Sequence, residues 1–181
     1  MKTTPQHNKS FTLIELLIVV AIIGILAALI IVSVTTASAK ARDVKRQEDL
    51  RNIQKAVEMY YTTNGSYPST GGGWWGNCSG YGSHPISGSN AYIPNIAPMY
   101  IPSLPLDPRQ GTDCTGAANN AACYIYRSGG TNYKLMAYQT VETIVPTPTN
   151  SLQDFYDPHY DTGSAPTHCT YSLYTPGASS W

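Results

Sequence analysis

Charge of either sign is scarce in this chain. Charged side chains make up 12% of its 181 residues and cancel to a formal net charge of zero, which leaves none of the basic footprint that specific nucleic-acid binding requires. Nucleophile motifs, phosphate-cradling glycine loops and paired carboxylates with supporting context are missing too, so no residue pattern points to an enzyme or a cofactor. No CxxC or Cys/His pairing has the spacing of zinc ligands; His168 beside Cys169 stands alone. The length leaves room for one modest domain beside a membrane segment.

The scarcity is most extreme between Phe11 and Val34, where Glu15 is the one charged side chain. A hydrocarbon core needs about 20 apolar residues as helix, and lipid leaves the backbone no other partner than its own helix. This run therefore predicts a transmembrane helix over 11–34. A carboxylate within hydrocarbon costs about 3 kcal/mol on insertion scales. Glu15 either lies near enough to the interface to reach water or is kept to meet a positive charge elsewhere in an assembly. Met1 to Ser10 carries Lys2 and Lys9 and no acid, which places it in the cytoplasm and the following domain outside. A secretory signal has a 7–15-residue apolar core. This run is longer, although Ala37-Ser38-Ala39 imitates a cleavage site.

Lys9-Ser10-Phe11-Thr12-Leu13-Ile14-Glu15, followed by LLIVVAIIGILAAL, resembles the N-terminus of type IV pilins and type II secretion pseudopilins. The resemblance implies that residues 1–10 are a leader, cut between Ser10 and Phe11 by a membrane prepilin peptidase, and that Phe11 is then N-methylated. It implies that Glu15 neutralises the N-terminal ammonium of an adjacent subunit and sets register in a self-assembled filament. An assembly platform and an ATPase are implied indirectly. The family prefers Gly where this chain has Ser10, and many pilins have Pro where Val32 stands. The stretch Tyr100 to Pro108, YIPSLPLDP, is similar to the YI…LP.DP segment of many pilins and major pseudopilins. The fold implied is α+β, a long N-terminal helix on an antiparallel sheet of three or four strands. The localisation implied is a single-pass membrane precursor that becomes an extracellular filament.

Residues 35–63 continue the helix as an amphipathic segment, with Val44, Leu50, Ile53, Val57, Tyr60 and Tyr61 at three- and four-residue steps. Neither Pro nor Gly interrupts Ser33 to Asn64. Lys40 to Arg46 and the pairs Glu48/Asn52 and Arg51/Lys55 read as a solvated face, with contacts between packed subunits as the alternative. Asn64-Gly65 and then Tyr67-Pro68 stop the helix. Residues 64–181 form a globular head, beginning with a long loop over 66–113. In it, Trp74 and Trp75 either plug a small core or stack on sugars. Cys123 to Arg127 and Asn132 to Thr140 predict a hairpin around Ser128-Gly129-Gly130-Thr131. Val141 to Val145 extends or follows it, and Cys169 to Tyr174 is a further strand.

All four cysteines lie C-terminal to the apolar run, which suits two disulfides in an oxidising compartment. Of the three pairings, Cys114 with Cys123 closes a short loop and Cys78 with Cys169 ties the tail back; these are the expected pairs. Asp154, Asp157, His159 and Asp161 form an acid-rich cluster without the spacing of the calcium loop found in major pseudopilins, so no metal is expected. That difference favours a pilus subunit over a pseudopilin. The rival from another class is a membrane-anchored, secreted module binding glycans or a surface ligand.

Overall fold

The computed structural model describes residues 12–143, 155, 157, 159, 160 and 169–181, with the backbone alone for 28–33. The chain divides into two units, Met1–Ser38 and Ala39–Trp181. Helix α1 runs Leu13–Asn64, close to the sequence expectation of 11–63. Its end carries a left-handed glycine stop. Gly65 adopts φ 70° and donates its N–H to the Tyr61 carbonyl at 2.8 Å. The Asn64, Thr62 and Thr63 side chains add second hydrogen bonds to the carbonyls of Tyr60, Glu58 and Met59, which reinforces the last turn.

Four strands follow: β1 (Trp75–Gly76), β2 (Cys123–Ser128), β3 (Tyr133–Tyr138) and β4 (Tyr171–Tyr174), all antiparallel in the order β1-β2-β3-β4. The fold is thus α+β, a long helix on a four-stranded sheet, as the resemblance implied. The β2–β3 hairpin pairs Cys123 with Tyr138 through to Ser128 with Tyr133. Val141 to Thr143 is not strand, and residues 144 and 145 lie outside the described residues. The long loop 66–113 contributes β1, a strand too short to show a period.

Strand alternation divides the side chains between two apolar clusters. Tyr124, Tyr126, Tyr133, Leu135, Ala137 and Leu173 pack with Leu50, Ile53, Ala56 and Val57 of α1 and with Tyr92, Ile93, Ile96 and Leu104 of the loop. Burying a side chain of that size is worth about 1.5–3 kcal/mol, which is what holds the C-terminal half of α1 to the sheet. The second cluster gathers Cys78, Cys123, Ile125 and Met136 under Trp74, Tyr81, Tyr138 and Tyr160. The neighbouring tryptophans take opposite sides: Trp75 packs on the helix-side cluster and Trp74 on the other. Gly76 permits this closeness, since a Cβ there would stand 2.9 Å from Ile125 Cγ2 and 3.1 Å from Cys123 Sγ.

The disulfides correct the expected pairing. Cys78 bonds to Cys123 and Cys114 to Cys169. Sheet register explains the first, and register with one loop hydrogen bond explains the second. Gly76 faces Ile125 across the β1–β2 ladder, so two residues further along each strand Cys78 arrives opposite Cys123. Ala137 faces Tyr171, which brings Cys169 beside the end of β3, where Val141 donates to its carbonyl. Cys114 donates to the Gln139 carbonyl at that same strand end. Peptide mapping under non-reducing conditions is expected to recover fragments joined through Cys78–Cys123 and Cys114–Cys169; a Cys114–Cys123 fragment would overturn this register.

Candidate assembly segment and the buried ion cluster

Glu15 has a partner in its own chain. Its Oε2 accepts the Thr12 backbone N–H at 2.9 Å and the Thr12 hydroxyl at 2.8 Å, while the Glu15 N–H reaches back to Thr12 Oγ1 at 3.3 Å. This is a capping box, in which a Thr and a Glu three residues later satisfy donors that the first turn of a helix leaves open. Thr12-x-x-Glu15 is legible in the sequence as that spacing. Ser10 and Phe11 lie outside the described residues.

Every large apolar side chain from Leu13 to Leu26 is at least 47% exposed. A helix apolar on all sides is stable only when something else surrounds it. Among the described residues no helix is long and apolar enough to cross a membrane; the side chains of 28–33, which complete the apolar run, are not among them.

Further along α1 the charges behave differently from the expected solvated face. Arg46 is fully buried and Asp43 and Asp49 nearly so. Arg46 forks onto Asp107, Nε to Oδ2 at 2.7 Å and Nη2 to Oδ1 at 3.0 Å, and its Nη1 reaches Asp43 at 2.6 Å and Glu142 at 3.0 Å. Glu142 also accepts from Arg42 at 2.7 and 2.6 Å and from Arg109 at 2.6 Å. Asp43 takes the backbone N–H groups of Glu142 and Thr143 and the Thr143 hydroxyl. Asp49 bonds Lys45 and the Tyr124 hydroxyl. The cluster fastens the helix, the LPLDP turn and the segment after β3 to one another. Glu48, Arg51, Asn52 and Lys55 remain on the exposed face.

Burial alone would raise the Glu142 carboxyl, but hydrogen bonds from Arg42, Arg109 and Arg46 outweigh it and hold it down at about 2. Burial alone would lower Arg46; its carboxylate partners raise it instead. Sequence reading missed this cluster because Asp107 and Glu142 stand 61 and 96 residues from Arg46. Its local hint is Asp43, three residues before Arg46 on the same helix face.

A second buried ion pair closes the opposite cluster. Lys134 Nζ lies 3.0 and 2.8 Å from the two Asp157 oxygens and 2.9 Å from the Trp181 carbonyl. Of the acid-rich cluster, Asp154 and Asp161 lie outside the described residues and Asp157 is committed to this ammonium. Among the described residues no three His, Cys, Asp or Glu side chains converge as metal ligands. Trp75 stacks on His84 at 4.1 Å, and the half-buried Trp74 lies beside Arg127.

The helix start, its Thr12–Glu15 box and its apolar run fall within a recognisable family signature. Residues 5–31 match the prokaryotic N-terminal methylation motif. The chain is similar to type II secretion system core protein G of Pseudomonas aeruginosa, 40% identical over 65 residues, which are 36% of this chain and 46% of that protein. It is similar to the type IV wide pilus major component PilA4 of Thermus thermophilus, 49% identical over 64 residues, 35% of this chain and 49% of that one. Core protein G of Escherichia coli matches at 35% over 73 residues, covering 40% and 50%. The chain thus spans about half the length of the curated relatives it matches. No solved structure matches.

Because Glu142 is depressed below the usual carboxylate value of 4.5, its contribution to stability is present above that pH and is lost as pH falls through about 2. Comparing unfolding free energies of the native protein and Glu142→Gln should show a gap on the order of 3 kcal/mol at pH 7 that closes across that window. A gap that does not change with pH contradicts the cluster. Arg46→Met, which strands buried carboxylates, is expected to cost about 3–5 kcal/mol by denaturant titration.

Proposed function

We propose that this chain is a structural subunit of a type IV pilus-like filament, assembled through residues 11–34. The observation that carries the reading is the match of residues 5–31 to the methylation motif, together with an apolar helix that has no buried face. Residues 1–10 are the leader, and prepilin peptidase cuts between Ser10 and Phe11. The precursor is held by its apolar segment in the membrane, leader inside, with the disulfide-bonded head outside. The subunit performs no reaction of its own; the chemistry belongs to the peptidase and to the assembly platform and its ATPase.

The capping box gives Glu15 two successive partners. In the precursor it accepts from Thr12, which lowers the cost of a carboxylate next to hydrocarbon. After cleavage, the ammonium of an adjacent Phe11 offers a charge-assisted hydrogen bond, about twice as strong as a neutral one. Exchange of Thr12 for that ammonium fixes the axial register of packed helices. A pseudopilus subunit of type II secretion would use the same chemistry. The pilus is favoured because the acid cluster lacks a calcium-loop spacing and its Asp157 meets Lys134.

Mass spectrometry of the native N-terminus is expected to find N-methylated Phe11; an intact Met1 overturns the processing and favours a membrane-anchored module. Glu15→Ala should leave membrane fractionation unchanged while filament yield in sheared-surface preparations falls at least tenfold, the equivalent of about 1.4 kcal/mol. Normal fibres from that variant would remove the role given to Glu15.

A further inference from the structure

The arginines of the ion cluster end on carboxylates: Arg42, Arg46 and Arg109 all meet Glu142. Arg127 has no such partner among the described residues. Its Nε is buried without a hydrogen bond, and its guanidinium carbon lies 4.8 Å from the centroid of the Trp181 ring and 5.7 Å from that of Trp74. All three side chains are half-buried, so the group is partly open to solvent. Across the ladder Arg127 faces Lys134, and like charges directly opposite in an antiparallel pair are destabilising. Asp157 neutralises Lys134. Among the described residues Arg127 is left as an uncompensated cation against an aromatic wall.

A guanidinium is weakly hydrated and presents a planar fork that matches a carboxylate. The flanking indoles supply flat apolar surface. A nucleic acid, charged at every unit, is held by several cations at once, whereas the residues from Thr62 onward contain three basic side chains, of which Arg109 and Lys134 are already committed to acids. A neutral sugar would leave the guanidinium unpaired. We propose that Arg127, Trp74 and Trp181 form a binding site for an acidic glycan, a sugar chain carrying hexuronate carboxylates. Nε itself is closed to solvent, so the carboxylate takes the Nη edge of the guanidinium, and the apolar face of a pyranose lies against indole. The site does not depend on polymerisation, so its failure would leave the filament reading intact.

Tryptophan fluorescence of the full chain in detergent micelles, titrated with a hyaluronan tetrasaccharide, tests this. The native protein is expected to give a saturable change. Arg127→Gln should bind at least about tenfold more weakly, the loss of one charged hydrogen bond. The carboxyl-reduced tetrasaccharide should show the same loss against the native protein, an arm that needs no folded variant. No saturable change with the native protein, equal affinity for the reduced sugar, or tighter binding of an oligothymidylate would each overturn the proposal.

Discussion

Apolar surface costs about 25 cal/mol per Å² to keep in water, and the first part of α1 presents apolar side chains on every side. No element of its own chain among the described residues buries them. The proposed life of the subunit follows from that constraint: lipid covers this surface first, and identical helices cover it afterwards. In either surrounding a lone carboxylate is costly unless it is bonded. Thr12 meets that requirement within the chain; in the proposed assembly a stronger donor takes its place.

The C-terminal unit solves the opposite problem, that of holding a loop-rich chain with few charges in one shape. Apolar packing of Leu50, Ile53 and Val57 against the tyrosines of β2 and β3 supplies cohesion. Such contacts are non-directional. Direction comes from the Arg46 cluster, whose distances are satisfied only when the helix, the Asp107 turn and the Glu142 segment are all in place. Cys78–Cys123 joins ends of β1 and β2 that the ladder sets opposite each other, and Cys114–Cys169 ties the loop before β2 to the residues just before β4.

Much of this was legible in the sequence. The helix and the β2–β3 hairpin announce themselves through long periodic or β-prone runs, and Asn64-Gly65 marks the helix end. The two-residue β1 could not, because no period fits in Trp75-Gly76. The cysteine pairing depended on ladder register, which spacing along the chain does not encode, so a short Cys114–Cys123 loop was the natural but incorrect expectation. Arg46 reads as solvated because its charge sits in a basic stretch, while two of the three carboxylates around it, Asp107 and Glu142, come from distant segments. The Thr12–Glu15 box was visible throughout as a spacing, although the resemblance alone directs attention to a partner in another subunit.

The most direct measurement is electron cryomicroscopy of filaments made by this chain, resolved well enough to place side chains in the fibre core. The account predicts packed residues 11–34 at the axis, with the Phe11 amino nitrogen of one subunit within hydrogen-bond distance of the Glu15 carboxylate of a neighbour. A fibre in which Glu15 still bonds only its own Thr12, or in which residues 11–34 do not form the core, would contradict it.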